Sequence, residues 1–379
     1  NALVALCLGA GEHEKADQAA THGMAFSLLH GILGSAIAIA IMPSFLGRFT
    51  TDAEVLSMGL TYSHIVFGFA TVNMASLAFE KIFQSVGRMK VTMVALIVGC
   101  VGNIILDPLL IFGIGPFPAM GIAGAALATG LGQVVGGVLP LIYFLRPNNS
   151  LLRLTGKPTL EAKPILKACG NGSSEMMSNI ASSLVGMLYN FQLLKYIGED
   201  GVSAYGVLMY VQFIFVAIDI GYSIGCAPII SYHYGARNHP ELRNLLMKGL
   251  KVMGILGIVM TIAAISLSGT LANIFVGYDA TLCELTRHAF HLFSFAFLLA
   301  GFNIFLSSFF TALNNGGVSA AISFLRTLVF QAASVILLPM ALDVDGLWWA
   351  ASAAEALAFV VSIGFLLAMK RKYHYFDET

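Results

Sequence analysis

The feature that most constrains this chain is the recurrence of apolar runs long enough to cross a lipid bilayer. A helix needs about 20 apolar residues to span roughly 30 Å of hydrocarbon. Such runs fall at about 17–46, 56–80, 91–113, 121–145, 164–196, 201–231, 243–268, 284–312, 316–340 and 346–369, and residues 1–10 read as the tail of an earlier one. Backbone polar groups cannot be left unpaired in lipid, so runs of this length must be helical. Composition agrees: 58% of the residues are apolar and 11% charged, against about 25% charged in soluble domains. The predicted class is an all-α polytopic membrane protein.

Several functions are excluded by what the runs contain. Formal net charge is zero, which leaves no nucleic-acid footprint. The five cysteines, Cys7, Cys100, Cys169, Cys226 and Cys283, are scattered without metal-ligand spacing and read as small apolar packing residues. No H-E-x-x-H or G-x-S-x-G motif is present, so the chain is not read as an enzyme. It starts at Asn1, mid-pattern, without a Met or a signal peptide, and the N-terminus is expected to be truncated.

Orientation follows from Lys and Arg. With the junction at Gly11–Lys15 taken as cytoplasmic, that side collects sixteen Lys/Arg, the other side only Arg48, Lys195 and Arg287, and Arg326 lies inside a span. The C-terminus is therefore expected in the cytoplasm.

An internal repeat sets the architecture. LGAGEHE from Leu8 pairs with YGARNHP from Tyr234, FQSVGRMK from Phe83 with FTALNNGG from Phe310, and GIAGAALA from Gly121 with GLWWAASA from Gly346, at offsets of 226, 227 and 225. Same-side loops match same-side loops, so the repeat is parallel, about an axis along the membrane normal. Extrapolated backwards, it expects about sixty residues before Asn1. The predicted protein has two six-helix lobes, about ten spans plus a partial one being present here. The N-terminal lobe is 1–145, lacking its first one to two helices. The polar stretch 146–163 is a cytoplasmic linker, 164–372 the C-terminal lobe and 373–379 a cytoplasmic tail.

Ionisable residues inside spans are the functional candidates. Asn103 and Asp107, four apart, share a helix face, and Pro108 deprives the Ile104 carbonyl of its donor. Carboxylate, amide oxygen and free carbonyl are hard ligands suited to a proton or a small cation such as Na⁺. No other metal is expected. Near the end of the matching span Pro339 stands opposite Pro108, preceded by Ser334 and Leu338, so the second lobe keeps a proline and lacks the Asn/Asp pair. Glu175, with Asn179 at i+4, and Asp219 are second-lobe candidates for a cation or substrate site. Arg326 and Glu355 are read as a neutralising pair, Glu80 and Lys81 as residues of the cytoplasmic turn. Met176, Tyr189, Met209 and Tyr210 supply soft aromatic and thioether surface for apolar cations.

The stretches LGAGEHEKA (8–16), QSVG (84–87), NIILDP (103–108), GIAGAALAT (121–129) and PIISYHYGA (228–236) resemble the multidrug and toxic compound extrusion (MATE) family. Gly172–Asn190 looks most like its MepA-type bacterial branch. The resemblance implies two six-helix lobes with a cavity between them, and export of amphipathic, often cationic drugs against protons or sodium ions across a bacterial inner membrane. It implies an N-lobe cation site of Asn103, Asp107 and Thr129, Thr129 entering on the resemblance alone; the family's further Asp, on the first helix, would precede Asn1. The expected partners are drugs and membrane lipid, with no cofactor beyond the coupling ion and a monomeric state. The alternative is a flippase of lipid-linked oligosaccharide or cell-wall precursor on a related fold, which would need cavity Arg/Lys for pyrophosphate.

Overall fold

The computed structural model describes residues 1–48, 50–145, 154 and 162–376. The helices are α1 (Ala2–Gly9), α2 (His13–Leu46), α3 (Ala53–Gly68), α4 (Ala70–Ser85), α5 (Met89–Phe112), α6 (Ile122–Leu145), α7 (Ala162–Tyr196), α8 (Glu199–Gly235), α9 (His239–Val276), α10 (Ala280–Phe293), α11 (Phe295–Ala312), α12 (Gly316–Phe324) and α13 (Gln331–Tyr373), with a π-helical stretch, Leu325–Phe330, between the last two. No strand occurs among the described residues. The chain separates into two compact units, Leu3–Ile165 and Leu166–Thr379. The linker expected at 146–163 lies mostly outside the described residues.

Among the described residues, seven helical segments are long and apolar enough to cross a membrane, or eight if the bent pair α3–α4 is one span. Two spans expected as single helices are broken. α3 and α4 meet at Phe69 with a 42° bend, and α10 and α11 meet at Ser294. Conversely, the last two expected spans run together over 316–373, 58 residues, which is more than twice what one crossing needs. They part at Asp343, whose φ of 54° and ψ of −134° are not helical.

Local structure repeats with the sequence. Phe69 and Ser294 are 225 apart. The turn after α1 places Gly11 at φ +74° and closes with Glu12 N–H on Cys7 O at 2.9 Å; the turn after α8 places Arg237 at φ +54° and closes with Asn238 N–H on His233 O at 2.9 Å. Gly87 (φ +74°) and Asn314 (φ +58°) do the same at the ends of α4 and α11, with Arg88 N–H on Phe83 O and Asn315 N–H on Phe310 O, both at 2.9 Å. A left-handed residue and a six-residue closing bond are how a helix C-terminus satisfies its orphan carbonyls. Asp52 and Asp279, 227 apart, both cap the next helix by accepting from the amides two and three residues on.

One register differs from the sequence reading. A Cβ on Gly124 would lie 2.4 Å from Leu110 O, and one on Gly346 would lie 2.4 Å from Leu338 O. Gly124, rather than Gly121, thus plays the part of Gly346, letting the last helix of each lobe touch the backbone of the one before it. Leu110 and Leu338 are 228 apart, one more than the preceding turns, which is the extra residue a π-helical stretch takes up. On this register Pro108 and Pro339 do not coincide, and the second-lobe counterparts of Asn103 and Asp107 are Gln331 and Val335. The pair is still absent there.

That close approach makes a stability prediction. Gly346→Ala forces a Cβ into a backbone carbonyl that cannot move alone, and should cost about 1–3 kcal/mol or more. Gly364→Ala, with nothing within 4 Å of the new Cβ, should leave stability level or slightly raised. Melting of the two purified variants in detergent compares them directly, and equal melting would refute the contact.

The C-terminal lobe has an apolar core toward each end. One gathers Tyr189, Tyr205, Phe290, Phe293 and Trp348; the other gathers Ile230, Phe305, Phe309, Phe310 and Tyr375. Tyr375 belongs to the stretch expected as a cytoplasmic tail; the left-handed turn at His374 folds it back, and its hydroxyl donates to Leu366 O at 2.6 Å. Along α8, α11 and α13 the polar residues Asp219, Asn303 and Glu355 fall between these cores.

Candidate ion-binding sites

In the N-terminal lobe α5 and α6 pack backbone to backbone. A Cβ on Gly132 would sit 3.0 Å from both Gly99 O and Asn103 Cβ, so the absence of side chains there brings Asn103 against α6. Beside them is a cavity of about 270 Å³ whose polar lining is Asn73, Ser76, Glu80, Thr92, Asn103, Thr129 and Gln133. Asn103 Nδ2 and Thr92 Oγ1 are buried and have no hydrogen-bond partner. Two expected members of the N-lobe set, Asn103 and Thr129, therefore share one cavity wall. The Thr129 hydroxyl donates to Ala125 O of its own helix at 3.0 Å, leaving its lone pairs toward other donors or a cation.

Asp107 lies one turn beyond Asn103, half-buried, and does not line this cavity. No hydrogen bond or ion pair reaches its carboxylate among the described residues. Glu80 is the carboxylate that does line it, accepting from Gln84 Nε2 at 2.7 Å with Lys81 Nζ at 3.6 Å. The sequence reading placed Glu80 at the cytoplasmic turn; its helix carries it onto the wall because Asn73, Ser76, Glu80 and Phe83 recur at three- and four-residue steps.

The second-lobe candidates are not brought together. Glu175 and Asn179 are exposed on α7, and the Asn179 amide donates to the Glu175 backbone carbonyl at 3.0 Å rather than to its carboxylate. Asp219 is buried on α8, and no hydrogen bond joins it to either. Of the soft residues, Met176, Met209 and Tyr210 are exposed, whereas Tyr189 is a core residue stacked on Tyr205 at 4.7 Å between ring centres.

What sequence spacing did not assemble is a network about Glu355. Arg326, on the π-helical stretch, holds the Glu355 carboxylate through Nε at 2.9 Å to both oxygens and through Nη2 at 2.8 Å. Asn303 Nδ2 donates to Glu355 Oε2 at 2.7 Å and to its backbone carbonyl at 3.0 Å, and Ser362 Oγ donates to Asn303 Oδ1 at 3.0 Å. The Arg326–Glu355 pair was legible as two opposite charges in neighbouring spans. Asn303 and Ser362 carried no such signal, since an amide or hydroxyl in a span is ordinary.

Residues 1–109 and 175–336 match the MatE family model. The chain belongs to the MATE transporter family. The MATE chain is 22% identical over 358 residues to the multidrug export protein MepA of Staphylococcus aureus (strain bovine RF122 / ET3-1), covering 94% of this chain and 77% of that protein. It is likewise 22% identical to MepA of Staphylococcus saprophyticus over 365 residues, 96% of this chain and 77% of that one. Among solved structures, it superposes at a TM-score of 0.89 and 20% identity on the outward-facing conformation of a multidrug resistance MATE transporter of the MOP superfamily, covering 98% and 83% of the two chains. A MOP superfamily transporter from Pyrococcus furiosus gives 0.87 at 20% identity, over 97% and 83%. At these identities the structural likeness speaks to the MATE fold alone: two helical lobes in a multi-pass membrane protein.

Proposed function

We propose that this protein is a multidrug exporter of a bacterial inner membrane, C-terminus cytoplasmic, which moves amphipathic and cationic compounds outward against protons or sodium ions by alternating access. Membership of the MATE family and likeness to proteins named for multidrug export support the transport class. The observation that carries the coupling site is the α5 pair: Asn103 on the wall of a polar cavity, and one turn on a carboxylate with no ion-pair partner among the described residues. Asn103 and Asp107 take the ion, with Thr129 as a third oxygen from α6. Neutralising the Asp107 charge is what biases the two access states, since an ion can shift a conformational equilibrium only through unequal affinity for its two ends. The exposed Met176, Met209 and Tyr210, with Glu175 and Asn179, offer drug-contacting surface on α7 and α8.

Efflux of ethidium from lipid vesicles holding the intact protein separates the ions. A pH gradient alone and a sodium gradient alone are imposed in turn; one of them is expected to drive ethidium movement that vesicles without protein lack. Ethidium movement with neither gradient dependence would remove the coupling reading. The flippase alternative lacks its cation: the deep arginine of the described spans, Arg326, is taken up by Glu355.

A further inference from the structure

We infer that the C-terminal lobe contains a proton-binding site at Asp219, separate from the α5 pair. Asp219 is 2% exposed, and its Oδ1 is buried without a hydrogen-bond partner. It lies in the chain between the two apolar cores of its lobe, and its carboxyl packs against α11 at Gly301, where an added Cβ would stand 3.0 Å from Oδ1 and 2.9 Å from Met253 Sδ. Among the described residues, the charges that act on it are those of Arg326 and Glu355. Met253 comes to the same glycine from α9, and Ser308 of α11 donates to the Ser223 carbonyl one turn along α8; on α10 His291 lies against Ser268 and His288 against Asp345.

Arg326 is engaged by Glu355 through Nε and Nη2. One cation and two carboxylates leave one negative charge, and it falls on the group with the orphaned oxygen. An unpaired buried carboxylate is among the costliest groups to keep charged, and one proton removes that cost. Sodium is a poor substitute, because a hard cation needs several oxygen ligands and no hydroxyl or amide of the described residues reaches the buried Oδ1. The proton adds to a carboxylate oxygen of Asp219 and leaves from it; no bond to carbon changes. Use of this site in transport rests on the function proposed above, but its existence does not.

Infrared pH-difference spectra of the intact protein in lipid test it without any transport. A protonated-carboxyl stretching band is expected that shifts on carboxyl-¹³C aspartate labelling, persists in Asp107→Asn and is absent in Asp219→Asn. Glu355→Gln should weaken the same band at a given pH, because the released Arg326 can then neutralise Asp219. Sodium chloride added at constant pH should leave it in place. An aspartate band that survives Asp219→Asn, that vanishes in Asp107→Asn alone, or that sodium removes would overturn the proposal. The label reads out on the unmutated protein, so complete absence of an aspartate band there also refutes it even if Asp219→Asn does not fold. Failure of the vesicle efflux experiment with this band present would sink the transport reading and leave the site standing.

Discussion

Asp107→Asn is expected to abolish ion-driven efflux while leaving the protein folded. The substitution keeps the shape and removes the charge. Asp107 is half-buried on α5 and engages no cation among the described residues, so no partner there is stranded and the stability change should be the small one typical of isolated positions, about 0.5 kcal/mol. Function is different. An amide cannot gain and lose a proton, and it offers sodium a neutral oxygen in place of a charged one. Asn103→Ala should weaken rather than abolish coupling, because it removes one oxygen and leaves the charge. Drug resistance of cells and gradient-driven ethidium efflux in vesicles report both effects, with a melting curve as the folding control. Wild-type resistance together with wild-type ion-driven efflux in Asp107→Asn would end the assignment.

The largest stability effect should come from splitting the buried pair in the other lobe. Glu355→Ala removes the acceptor of the Arg326 fork and of Asn303 Nδ2 at once. Breaking a buried ion pair by deleting one partner typically costs about 3–5 kcal/mol, because the other charge loses its hydrogen-bonded partner; Asp219, on which the Arg326 charge acts, can take up part of the released charge, which puts the expected loss toward the lower end. Replacing both partners with apolar residues of similar volume, Arg326→Met with Glu355→Met, should recover a large share of that loss, since no charge is then stranded. Melting temperatures of the two single variants and the double variant give the coupling between them. Additive losses would show that the pair is not the unit it looks like in the structure. The π-helical stretch at Arg326 has no counterpart among the described residues of the first lobe, where Gly99 of α5 stands at the preceding 227-residue offset. The second lobe therefore spends one extra residue where its buried cation stands.

The repeat shows how much of this was written in the primary sequence. Three short anchors predicted a parallel duplication, and the turns at Gly11/Arg237 and Gly87/Asn314, the caps at Asp52/Asp279 and the breaks at Phe69/Ser294 repeat at the same spacing. Such features are local: a left-handed residue or a capping aspartate acts within five residues, so its signal stays in the sequence beside it. The α5 pair was legible for the same reason, as i and i+4 on one helix face. Glu80 was not, because its exposure to the cavity depends on how α4 lies beside α5 and α6. Nor was the separation of Asp219 from Glu175 and Asn179 legible, since three acids and amides on two helices look alike until burial is known.

The sequence alone determined that this chain is a bundle of membrane helices in two related halves, because span length, Lys/Arg bias and helix punctuation are one-dimensional quantities. Only the tertiary structure decided which polar residues meet. Arg326, Asn303 and Glu355 come from three separate helices, up to 52 residues apart, and their union pairs the buried charges it contains and leaves Asp219 outside it. The physical reason is that in an apolar interior a buried charge is defined by its neighbours, and neighbours across helices leave no periodic mark in the chain.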